Sequence, residues 1–115
     1  MSELIKIVVF TPSSHADEIR KVLSDSGAGH IGNYDHCSFS TKGIGRYRGL
    51  AGTNPHIGEA EKLEEAQEER IETILPEEIL PNVLEAVLKV HPYEEPAIDI
   101  YPLLNHKYKD LLRKK

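Results

Sequence analysis

The chain has one cysteine, one methionine, no tryptophan and only 6% aromatic residues among 115 positions. A lone Cys37 excludes an intramolecular disulfide, and no charged segment leads into a continuous apolar stretch at the start, so a reducing, cytoplasmic setting is expected. Long hydrophobic runs are missing as well. The longest, residues 7–10, falls far short of the ~20 residues a helix needs to cross a bilayer, and no membrane span is expected. An excess of positive charge is also lacking: 19 acidic residues stand against 14 basic ones, a formal net charge of −5. That balance argues against a general nucleic-acid-binding surface.

What is present suffices to fold. Hydrophobic residues make up 39% of the chain, and Leu, Ile, Val and Phe together exceed the ~20% associated with disorder. One domain is expected over residues 1–105, followed by a basic tail over 106–115. The charge is segmental: residues 59–72 hold seven glutamates against Lys62 and Arg70, whereas residues 107–115 hold five basic residues against Asp110. A domain of this size buries only ~60–68% of its unfolded-chain surface, so association is expected to add core.

Residues 4–10 are β-branched and nearly all apolar, as in a central strand, and Pro12 ends them. Ser14 and Asp17 form an approximate capping pair ahead of a helical stripe of Ala16, Ile19, Val22 and Leu23 that stops near Gly27 and Gly29. Residues 35–41 alternate, with Cys37, Phe39 and Thr41 on one face, and predict a strand. Residues 42–58 contain five glycines and a proline and predict a long loop. Over residues 59–69 the composition favours helix, whereas 70–75 favours strand. Pro81 suits a first helical turn, with Val83, Leu84, Val87 and Leu88 as its stripe and His91 before Pro92 at its end. Residues 96–102 predict a last strand. The order βαββαβ, with right-handed crossovers, gives an α+β ferredoxin-like sandwich: one antiparallel sheet with two helices on one face and the other face open. An apolar open face implies subunit association.

The run His91-Pro92-Tyr93-Glu94-Glu95-Pro96-Ala97-Ile98 resembles the corresponding stretch of CutA proteins, small trimeric relatives of PII signalling proteins. A wider resemblance runs through about Asn105, over Gly27 to Tyr34, Cys37 to Thr41, Gly52-Thr53-Asn54-Pro55, Ile57-Gly58, Glu69 to Ile74 and His91 to Glu95. Together these motifs resemble the CutA/PII-like domain inserted in YqfO-type members of the bacterial Nif-three-like family. The resemblance implies the CutA/PII-like version of the fold, a homotrimer, and a long third strand over about residues 63–75 despite the local helix propensity. In that family the dinuclear metal site lies in the flanking core, so neither its ligands nor a hydrolase activity carries over.

Candidate sites are weighed on chemistry. His30, His36, His91 and Glu94 are candidate ligands for a divalent metal such as zinc or copper, but no tight spacing joins them, so they would have to converge through folding or across subunits. His91 fits equally well as a helix C-terminal residue favoured by the dipole. His36 and Cys37, as neighbours on a strand, would face opposite ways, and Cys37 reads as a small core residue. Lys42, Arg46 and Arg48 among glycines, with Thr53, Asn54 and Tyr93, are candidate ligand-binding residues able to meet an anion, although the Walker A spacing is absent. A flexible connection whose basic residues neutralise nearby glutamates is the alternative. The tail reads as a short docking helix or as a frayed terminus.

Three functions follow in order of expectation. The first is a non-enzymatic CutA/PII-like homotrimer binding a small ligand or divalent metal between subunits and signalling to a protein partner. The second is a regulatory or structural subunit for a separate Nif-three-like dinuclear-metal protein. The third is a small metal-dependent hydrolase using His30, His36, His91 and Glu94; no catalytic spacing supports it, and a catalytic role is not expected.

Overall fold

The computed structural model describes residues 3–114. Residues 1, 2 and 115, which belong to the expected domain and tail, lie outside the described residues. The elements are β1 (Leu4–Pro12), α1 (Ala16–Asp25), β2 (Phe39–Arg48), β3 (Leu63–Pro76), α2 (Leu80–Val90), β4 (Ile98–Pro102) and a short α3 (Lys109–Leu112). The sheet order is β2-β3-β1-β4 and every neighbouring pair is antiparallel. This is the expected ferredoxin-like arrangement.

Strand alternation sorts the sheet into two faces. Ile5, Ile7 and Val9 of β1 and Ile71 and Leu75 of β3 meet Ile19 and Leu23 of α1 and Val83 and Val87 of α2 in one core. Each such side chain contributes about 1.5–3 kcal/mol on burial. The opposite face carries Lys6, Val8 and Phe10 of β1 beside Arg70 and Glu72 of β3. Glu72 pairs with Lys6 at 3.0 Å and with Arg70 at 3.1 Å, and these two hydrogen-bonded cations hold its carboxyl below the usual carboxylate range. The Arg70 guanidinium lies 5.7 Å from the Phe10 ring centroid. Val8 is fully buried beneath this charged layer, while Phe39 and Tyr101 on the same face are exposed.

The Glu-rich segment is strand, as the resemblance implied. Leu63 to Glu72 pair in register with β2 from Arg48 back to Phe39. Two sequence expectations give way here. Residues 42–48, expected as loop, form the second half of β2, and Gly45 serves the strand because a Cβ there would overlap the Glu68 carboxylate lying across it. Residues 35–38, expected as strand, are irregular: His36 has φ +58°, and Cys37 N–H donates to Gly29 O at 3.0 Å. Gly29, at φ +86°, packs so closely on the Cys37 backbone that no side chain fits there. Cys37 is therefore half-buried in a loop rather than in the core.

The expected Ser14 cap does not form. A 3-10 turn, Ser13–His15, precedes α1, and Ser14 Oγ lies 2.9 Å from His15 Nδ1 instead. At the other end of the molecule α2 starts with Pro81 in its first turn and stops at His91. Leu88, expected on its buried stripe, is 55% exposed. The tail forms α3 with Leu111 and Leu112 exposed. Among the described residues, no helix is long and apolar enough to cross a membrane.

Candidate ligand cleft

Residues 91–97 connect α2 to β4 and pass the end of β1, where Phe10 N–H donates to Ala97 O at 3.1 Å. His91 fixes this crossing. Tyr93 N–H, which can only donate, lies 3.1 Å from His91 Nδ1, so Nδ1 accepts and the ring proton sits on Nε2, which donates to Phe10 O at 2.8 Å. His91 is 8% exposed, and burial pushes its pKa down from the ordinary value. The imidazole is a neutral structural bridge with both nitrogens used.

Past His91 the loop faces the β2–β3 ribbon. Tyr93 Oη donates to Glu68 Oε2 at 2.6 Å. The Tyr93 and Tyr47 ring centroids are 6.1 Å apart at 59°, and Tyr47 Oη donates to Ile57 O at 2.7 Å. Beside them opens a cavity of about 460 Å³, lined by Phe10, Gly45, Arg46, Tyr47, Arg48, Gly49, Pro55, His56, Glu68, Tyr93, Glu94, Glu95 and Ala97. Burial first, then the Glu68 hydrogen bond and charge, pushes the Tyr93 phenol far above its ordinary value. The Tyr47 phenol is raised by burial and by the charges of Glu64 and Glu68. Both hydroxyls therefore stay protonated donors throughout the neutral range.

The residues expected at a site divide clearly. Arg46, Arg48 and Tyr93 line the cavity. Asn54 borders it through its N–H, which donates to Glu94 Oε1 at 3.3 Å. Thr53 serves a turn, donating its hydroxyl to Leu50 O at 2.8 Å. Lys42 is exposed opposite Glu69 on β2, outside the lining. The metal candidates do not converge within the chain: His30 and His36 are exposed in the 28–38 loop, His36 pairs with Asp35 at 3.0 Å, and His91 is closed by its two hydrogen bonds. No group of three or more His, Cys, Asp or Glu that could hold a metal occurs among the described residues. The set needed for the hydrolase reading is therefore not assembled within the chain's described residues.

Sequence reasoning missed Tyr47 and Glu68. Tyr47 lay in the supposed loop, and Glu68 looked like one of many solvated glutamates. The usable signal was alternation: Gly43, Gly45 and Tyr47 share one ribbon face, leaving room over the glycines for a long side chain from β3.

No family model matches the chain. A protein of Halalkalibacterium halodurans described as a GTP cyclohydrolase 1 type 2 homolog is 51% identical over 102 residues, 89% of this chain and 27% of that protein. The similarly described protein of Bacillus subtilis is 46% identical over 100 residues, again 27% of its length. The chain thus spans about a quarter of the curated relatives it matches. Among solved structures, a Bacillus cereus protein related to NIF3 superposes with a TM-score of 0.79 at 48% identity, covering 90% of this chain and 26% of that one. The divalent ion tolerance protein CutA1 of Ehrlichia chaffeensis gives 0.67 at 17% identity, covering 91% and 85%, a likeness of fold alone. The chain has the CutA fold and is similar, over most of its length, to a segment making up about a quarter of NIF3-related proteins.

Proposed function

We propose that this chain is a non-enzymatic CutA/PII-like domain, residues 1–105 forming the unit, that assembles as a homotrimer, takes a small ligand in the Tyr93 cleft and passes that state to a protein partner. The observation that carries this reading is the cleft itself. It lies where the 91–97 loop, the end of β1 and the β2–β3 ribbon meet, with Tyr93 joined to Glu68 across it. A ligand seated there touches two tyrosines and the ribbon at once, so its presence alters how the ribbon is presented to a partner. The exposed Phe39 and Tyr101 on the sheet face without α1 and α2 support subunit association.

Light scattering tests the assembly: a trimer of the 12.9 kDa chain weighs about 39 kDa, and a strict monomer at micromolar concentration contradicts it. Thermal shift against nucleotides, organic anions and amines tests ligand binding, because a ligand of the folded state alone raises apparent stability. A zinc or copper site would need His30, His36 or Glu94 from more than one subunit, and calorimetry with each metal decides it.

A second reading rests on the similarity to a quarter of NIF3-related proteins. The chain acts as a regulatory subunit for a separate Nif-three-like dinuclear-metal protein, supplying in trans what those relatives carry in one chain. Co-purification with that protein supports it; failure of the two purified proteins to associate contradicts it.

A further inference from the structure

Resting on the cleft reading above, we infer that the ligand is an organic cation: a primary ammonium group carried on a small aromatic or apolar body. The cleft wall is an aromatic corner with one carboxylate in it. Tyr47 is held rigid by its bond to the Ile57 carbonyl, and Tyr93 by its bond to Glu68. The two rings, packed on each other at 6.1 Å and 59°, together form one wall of the cavity, and an aromatic wall attracts cations.

Glu68 sets the sign of the charge. It is half-buried, and no Lys, Arg or His among the described residues makes an ion pair with it; its recorded partner is the neutral Tyr93 hydroxyl. Among the other ribbon glutamates, Glu65 pairs with Arg46 at 3.2 Å, Glu69 with Arg20 at 2.7 Å and Glu72 with Lys6 at 3.0 Å, whereas Glu64, whose Oε1 accepts from Glu59 N–H at 3.4 Å, lies outside the cavity lining. The lining arginines do not reverse the sign. Arg46 is turned to Glu65, and the three lining carboxylates Glu68, Glu94 and Glu95 outnumber the two guanidinium groups. At the rim, Glu94 and Glu95 add negative charge.

The geometry also selects the kind of cation. Oε2 of Glu68 already accepts from Tyr93, and Oε1, which lies over Gly45, is the oxygen left to accept from a ligand. A planar guanidinium fork needs both oxygens together, whereas an ammonium donates from a single point. A volume of about 460 Å³ suits a body of one ring and a short chain.

The test is an NMR titration of the full chain with phenethylammonium chloride, 2-phenylethanol and 3-phenylpropionate, which share a body and differ in charge. The ammonium compound is expected to shift Gly45, Tyr47 and Tyr93 saturably, with the alcohol about tenfold weaker or more. Glu68→Gln, which keeps an acceptor for Tyr93, should weaken the ammonium compound about tenfold, and Glu65→Gln, the same charge change on the opposite ribbon face, by less than about twofold. Equal losses in the two variants overturn the Glu68 contact. Tighter binding of the phenylpropionate overturns the cation assignment and leaves the cleft reading standing. No saturable shift with any of the three overturns the cation assignment, and the nucleotide and anion panel then decides the cleft reading separately.

Discussion

Tyr93 Oη and Glu68 Oε2 lie 2.6 Å apart across 25 residues of sequence, and their hydrogen bond ties the loop after α2 to the Glu-rich ribbon. Within the chain, this is the contact on which the shape of the cleft depends.

Tyr93→Phe removes the donor and leaves the half-buried Glu68 carboxylate without it. A charge-assisted bond of this kind contributes about 1.5–3 kcal/mol, and partial exposure places the expected loss near the lower end. Denaturant unfolding measures it. Ultraviolet titration gives an independent readout: burial and the Glu68 hydrogen bond hold the Tyr93 phenol above its ordinary range, so the folded variant is expected to show one fewer tyrosine with a raised ionisation than the parent.

Gly45→Ala and Gly43→Ala make a matched pair on β2. A Cβ at Gly45 overlaps the Glu68 carboxylate and pushes it off Tyr93, whereas a Cβ at Gly43 meets nothing within 4 Å. Both variants gain about 0.4–1 kcal/mol from a less flexible unfolded chain. Gly43→Ala is therefore expected to be the more stable of the two by about 1 kcal/mol, the cost of the lost hydrogen bond. Equal stabilities would show that Glu68 does not need the space above Gly45.

His91 makes stability fall with acid. Its folded pKa lies below the ordinary 6.5, chiefly through burial, so the unfolded chain takes up the proton first. The neutral ring's contribution is fully present above pH 6.5 and is lost as pH falls through the folded value. Protonation would also set an Nδ1–H against Tyr93 N–H. His91→Gln is expected to be less stable at pH 7.5 and to lose less on going to pH 5, measured by urea unfolding at both.

Arg20 neutralises Glu69, which is 7% exposed and accepts the guanidinium at 2.7 Å. Arg20→Ala strands that carboxylate and is expected to cost about 2–3 kcal/mol. Adding Glu69→Gln removes the stranded charge and should recover part of the loss, so the double variant unfolds at higher denaturant than Arg20→Ala alone.

Much of this fold was legible in the sequence. The apolar run of β1 and the stripes of α1 and α2 follow directly from burial periodicity, because each packs into one core. The 28–38 and 42–48 segments were not legible. Gly43 and Gly45 read as loop punctuation, yet here they admit Glu68 over a paired strand. The Gly32-Asn33 pair between Ile31 and Tyr34, whose backbones bond at 2.9 Å both ways, was a tight-turn signal that the alternation after it obscured. Helix propensities for residues 63–69 amount to tenths of a kcal/mol per residue, less than a strand ladder with ordered ion pairs supplies. Of the site, the basic residues and Tyr93 were visible from composition and motif. Glu68 was not, because one glutamate among seven is distinguished only by what folds against it.

The most direct test of the central claim is an amide NMR titration of the full chain with nucleotides, organic anions and amines, followed at Gly45, Tyr47, Glu68 and Tyr93. Saturable shifts confined to these residues and their lining neighbours, abolished or weakened at least several-fold in Tyr93→Phe, are the predicted result. Absence of saturable shifts there with every class of compound, in a protein whose spectrum reports a folded chain, would contradict it.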